Sequence, residues 1–110
     1  TSNDIVDAAV ALQIKDSIVM QRDVLKQLMG TLCEIAERER DTVMLGRTHG
    51  QAAVPITFGL KVAVWVDEFA RHLERLGELS PRATTGKFLG AVGTGAAQGE
   101  QAFELQSLIM

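Results

Sequence analysis

The residues best suited to chemistry sit in a polar break between two helix-patterned stretches: Gly46, Arg47, Thr48, His49, Gly50 and Gln51. A histidine titrates near pH ~6.5 and can give or take a proton at neutral pH. Glycines on either side of His49 would let the backbone approach a ligand closely. Arg47, Thr48 and Gln51 offer donors to anionic oxygens. An ordinary polar connection between helices collects the same residue types, so composition alone leaves both readings open.

Two further segments compete for attention. Thr1, Ser2, Asn3 and Asp4 are residues that a helix N-terminus wants as caps, and such a terminus also binds carboxylates through its free N–H groups. Gly86 to Gly95 invites a nucleotide-loop reading, which fails: a P-loop needs Ser or Thr after its Lys, and Phe88 follows Lys87. Gly93, Gly95 and Gly99 are not embedded in a strand–helix–strand unit, so a dinucleotide fold is not indicated. A flexible loop leading into a helix is the expectation there. His72 reads as a surface residue. With no Cys or carboxylate at ligand spacing around either histidine, no metal site is expected.

The elements that must position these residues are helices. From Asn3 to Glu39 there is no Pro, and Val6, Val10, Ile14, Ile18, Leu25, Leu28, Leu32 and Ile35 recur mostly three or four apart. Asp4 and Asp7 in the first turn and Arg38 and Arg40 near the end suit the helix dipole. Gly30 marks a place where this helix could bend, at a cost of about 1 kcal/mol relative to Ala. A second helix is predicted from Pro55, with Val62, Val66, Phe69, Leu73 and Leu76 as its seam and Gly77 as its stop. Arg82 to Gly95 reads as loop. A third helix is predicted from Thr94 as N-cap, through Phe103, Leu105, Leu108 and Ile109.

The bulk properties bound the class. At 110 residues and 46% hydrophobic, the chain is one small, ordered segment spanning 1–110. A net charge of −3 gives no reason to expect nucleic acid or an anionic membrane as partner. No apolar run approaches the roughly 18–20 residues that cross a bilayer, and no signal peptide is visible. The single Cys33 cannot form an internal disulfide, which favours a reducing, cytoplasmic setting. A first helix of about 35 residues would be ~53 Å long, whereas a compact domain of this size has a radius of gyration of ~13 Å. Ile56, Leu60, Val64 and Trp65 also lie off the second helix's seam. Neighbours from other subunits or further sequence are therefore expected. The start at Thr1 and the stop at Met110 within an apolar stretch read as cuts.

Taken in order, these segments resemble the fumarase/aspartase superfamily of elimination enzymes. Thr1-Ser2-Asn3-Asp4 leading into a long helix is similar to its first substrate-contacting turn. Gly46 to Gln51, followed by Ala53-Val54-Pro55 and Thr57-Phe58-Gly59, is similar to its second. Gly90-Ala91-Val92-Gly93-Thr94 follows in the expected place. Phe58-Gly59-Leu60-Lys61 and Arg71-His72 are most similar to the adenylosuccinate lyase branch, while the carboxymuconate cycloisomerases share much of Thr48 to Gly59. Ala52, Phe88 and Leu89 depart from the expected pattern.

The resemblance implies an all-α fold, with long antiparallel helices from the central bundle of a homotetrameric enzyme. It implies β-elimination of fumarate from adenylosuccinate and the related succinyl-carboxamide ribotide in purine biosynthesis, with no cofactor and no metal. His49 would be the acid that protonates the departing amine. Thr1 and Ser2 would bind substrate oxygens and Thr48 would position the succinyl group, with Asn3, Gln51 and Lys87 as weaker candidates. The superfamily's catalytic base, a serine on a Gly-Ser-Ser-x-Met-Pro-x-Lys loop, is absent from these 110 residues, as is a second histidine upstream of Thr1. The segment by itself is therefore expected to lack lyase activity. A helical interaction module, in which the His49 turn is incidental, remains the reading from a different class.

Overall fold

In the computed structural model, which describes residues 2–109, the first element is a helix α1 over Ser2–Arg38. It runs through Gly30 as one continuous helix, without a break. Strand β1 (Val43–Thr48) and strand β2 (Gln51–Thr57) follow, then helix α2 (Phe58–Ala83), a 3₁₀ turn (Gly99–Gln101) and helix α3 (Ala102–Ile109). The fold is helical, as expected, but the antiparallel strand pair was not anticipated. The chain divides into two compact units, Gln21–Leu76 and Thr1–Met20 with Gly77–Met110.

In the first of these, β1 and β2 pair from Val43↔Thr57 at the root to Thr48↔Gln51 at the tip, with an irregularity between Leu45 and Arg47. Gly46, buried at that irregularity, lies so close to the Val54 carbonyl that a Cβ would collide with it. Glycine at this position thus serves the packing of the two strands. Pro55 belongs to β2, opposite Leu45, instead of opening the second helix. The helix starts three residues later because Thr57 caps it: its Oγ1 accepts the Leu60 N–H at 3.1 Å. The Phe58 and Gly59 N–H groups donate to the Thr42 and Glu39 carbonyls at 2.8 and 2.9 Å. Two of the orphan donors of α2 are thus satisfied by the turn that ends α1, and a third by Thr57. The predicted seam holds: Val62 is fully buried and Val66, Phe69, Leu73 and Leu76 are half-buried, while Leu60, Val64 and Trp65 stay exposed.

In the other unit, α2 passes Gly77 without stopping and carries Pro81 in its last turn. Its final carbonyls are taken up locally. Thr84 donates both its N–H and its Oγ1 to Ser80 O, Thr85 Oγ1 donates to Pro81 O, and Arg82 Nε donates to Glu78 O. The third helix begins at Ala102, not Thr94. Gly95 and Gly99 have φ of 66° and 65°, a conformation that a helix cannot include. Gly95 is buried, and a Cβ there would lie 2.7 Å from that of Ala102. The Gln106 side chain accepts the Phe88 N–H at 2.9 Å, tying α3 to the preceding loop.

Candidate active site

His49 and Gly50 form the two-residue tip of the hairpin, with φ of 51° and 70°. Positive φ at both central positions is the geometry of a type I′ turn, whose twist matches that of paired strands. Glycine adopts it freely, and histidine tolerates it better than most residues. Arg47, Thr48, His49, Gly50 and Gln51 are all exposed. Among the described residues none hydrogen-bonds the His49 imidazole. The tip and the strand ends beside it expose an imidazole, a hydroxyl and a guanidinium to solvent.

The hairpin is anchored at its root by Glu39. Its Oε1 accepts from Arg38 Nε at 2.8 Å and its Oε2 from Thr42 Oγ1 at 2.8 Å. Arg38, and then Thr42, hold this carboxyl below its ordinary value of 4.5. A carboxylate with a depressed folded-state pKa contributes stability above its unfolded value and loses it as pH falls through the folded one. Replacing Glu39 by Gln in the full-length protein should therefore lower its melting temperature at neutral pH. The gap from the parent should close on acidification below about pH 4.5. A gap that is constant with pH, in parallel thermal melts, would show that the carboxylate's charge is not what matters.

The other unit holds two of the remaining candidate segments. Thr1 lies outside the described residues. Ser2 and Asn3 are exposed at the start of α1, whereas Asp4 is buried and accepts the Gly90 N–H at 3.1 Å. Lys87 Nζ stands 2.9 Å from Asp7 Oδ2. Asp7 holds the ammonium above its ordinary value of 10.5. The structure thus joins the N-terminal turn to the Gly86–Gly95 loop, two segments that the sequence left separate. Thr48, His49 and Gln51 belong to the unit of the hairpin. His72, on α2, is partly exposed, 3.7 Å from Glu68 and 3.1 Å from an Arg75 nitrogen. Among the described residues no three His, Cys, Asp or Glu side chains gather as a metal site would need, and no helix is long and apolar enough to cross a membrane.

One unit presents a histidine on a tight polar turn, and the other an exposed serine at the head of a long helix. A sequence profile of the family described as Lyase matches residues 1–109, and the chain belongs to that family, within the fumarase/aspartase superfamily. Adenylosuccinate lyase of Pyrococcus abyssi is 53% identical over 110 residues, all of this chain and 24% of the relative. The solved fumarate lyase from Mesorhizobium sp. BNC1 matches with a TM-score of 0.93 at 43% identity, over 97% of this chain and 25% of that one. The 3-carboxy-cis,cis-muconate lactonizing enzyme from Pseudomonas putida matches with a TM-score of 0.90 at 39% identity, over 94% and 23%. The chain spans about a quarter of the length of the proteins it matches.

Proposed function

We propose that the full-length protein containing this chain eliminates fumarate from adenylosuccinate and from the related succinyl-carboxamide ribotide. The observation that carries this reading is the 53% identity to an adenylosuccinate lyase along the whole chain, through both candidate turns. A base removes a proton from the carbon beside a carboxylate, and the electron pair is held as an aci-carboxylate. The C–N bond then breaks, the pair forms the double bond of fumarate, and the amine leaves with a proton from His49. Ser2 and Thr1 bind substrate oxygens, and Thr48 positions the succinyl group. The base is supplied from outside these 110 residues, as are the walls that close the site. No cofactor or metal enters this scheme.

The same reading makes the chain part of the central bundle of a cytoplasmic homotetramer. Support comes from the apolar side chains that each unit leaves open. Val43 and Val54 on the hairpin are 72% and 74% exposed, and Phe103 and Leu108 on α3 are 72% and 79% exposed. Burying such a side chain fully is worth about 1.5–3 kcal/mol, so contacts from other subunits or other parts of the chain would have a strong driving force.

Likeness to the muconate lactonizing enzyme favours cycloisomerisation as the second reading. Assay of the full-length protein separates the two. Fumarate release from adenylosuccinate is the expected result, and a well-folded enzyme that releases none would overturn the proposal.

A further inference from the structure

We propose that Asp4 is a positioning residue, fastening the loop around Lys87–Gly90 to the first turn of α1 so that the two bind substrate carboxylates as one surface. The inference rests on the elimination reading above. An Asp in the first turn of a helix ordinarily faces water and serves only the helix dipole. Asp4 is instead 1% exposed, and its Oδ2 accepts the N–H of Gly90 from a segment distant in sequence. A buried carboxylate is costly unless it is hydrogen-bonded, so this contact ties the place of Asp4 to the place of the loop. Gly90 has a φ of 82°, a backbone conformation that suits glycine. Three residues further along the same helix face, Asp7 pairs with Lys87 at 2.9 Å. The helix therefore grips the loop at two points, 87 and 90, through two carboxylates at matched spacing. Ser2, the exposed hydroxyl proposed to bind substrate, lies two positions before Asp4. Its setting relative to the loop is fixed by that grip.

The test uses the full-length enzyme, with fumarate release from adenylosuccinate as the assay. An inactive parent would defeat the elimination reading itself. In an active parent, Asp4→Ala should raise KM by roughly tenfold with kcat within about threefold, as expected when ground-state and transition-state binding are lost equally. Asp4→Asn keeps an acceptor for Gly90 and should leave KM within about threefold of the parent. A variant Asp4→Ala that melts earlier but keeps its KM would reduce Asp4 to a structural residue and overturn the proposal. So would an Asn variant as impaired as the Ala one. If the Ala variant does not fold, or the parent is inactive, hydrogen exchange at the Gly90 amide of the unmodified enzyme decides. Strong protection supports the fastening, and exchange as fast as at an open loop refutes it.

Discussion

If His49 is the proton donor of the proposed elimination, replacing it by Asn in the full-length protein is expected to lower turnover at least ~10²-fold, because general acid catalysis by a positioned side chain is worth ~10²–10⁴. The smaller figure corresponds to about 2.7 kcal/mol of barrier. Asn is the informative choice because of the backbone at this position. With φ at 51°, most replacements would strain the turn, whereas Asn visits that region readily. The hairpin should then survive while the titrating group is removed. A loss in kcat at an unchanged melting temperature is the expected outcome, measured by steady-state fumarate release and a thermal melt. A near-normal rate would end the assignment of His49 as the proton donor.

The second large effect concerns a residue with no chemistry. A Cβ on Gly59 would lie 2.5 Å from both the Ala36 carbonyl oxygen and the Arg40 Cα, and 2.8 Å from the Arg40 nitrogen. Atoms in contact rest about 3.5–4.0 Å apart, and these neighbours are backbone that cannot rotate away. Gly59→Ala must push α2 off the end of α1 or break the hydrogen bond from its N–H to Glu39. Overpacking of this kind costs about 1–3 kcal/mol and occasionally more, and the rigid neighbours place Gly59 at the upper end. A melting temperature lowered by several degrees is expected, as for other shifts of about this size. Gly30→Ala is the control: nothing would touch its Cβ, and Ala there should stabilise by up to about 1 kcal/mol. Equal melting temperatures for the two variants would contradict the close approach at Gly59.

In the Thr57-Phe58-Gly59 stretch, Thr57 caps α2 and Gly59 is packed against α1, and neither duty is visible in residue types alone. Helix α1 was legible almost to the residue because nothing interrupts its periodicity, and the α2 seam because Val62 to Leu76 keep a regular spacing. The hairpin was not. Its outward positions Val43 and Leu45 are as apolar as the inward Met44, so the alternation that marks a strand is missing. Pro55 looked like the first residue of a helix, and Gly46 looked like loop. The signal that could have revealed the hairpin is a two-residue His49-Gly50 tip between short apolar runs. Long-range pairing hid the rest. Asp4 looked like a helix-terminal acid because its partner, Gly90, is unrelated to it by any sequence period.

The tip of the hairpin has one more consequence. Closing directly on the Thr48–Gln51 pair, it holds no spare backbone. An inserted residue would turn it into a three-residue loop, whose backbone geometry differs from that of the type I′ turn and would aim residue 49 elsewhere. The position thus accepts side chains at ease with a positive φ, and a change of length would re-aim whichever one it holds. The imidazole's remaining freedom is rotation about its own two side-chain bonds, and its reach toward a leaving group is set by the length of one histidine.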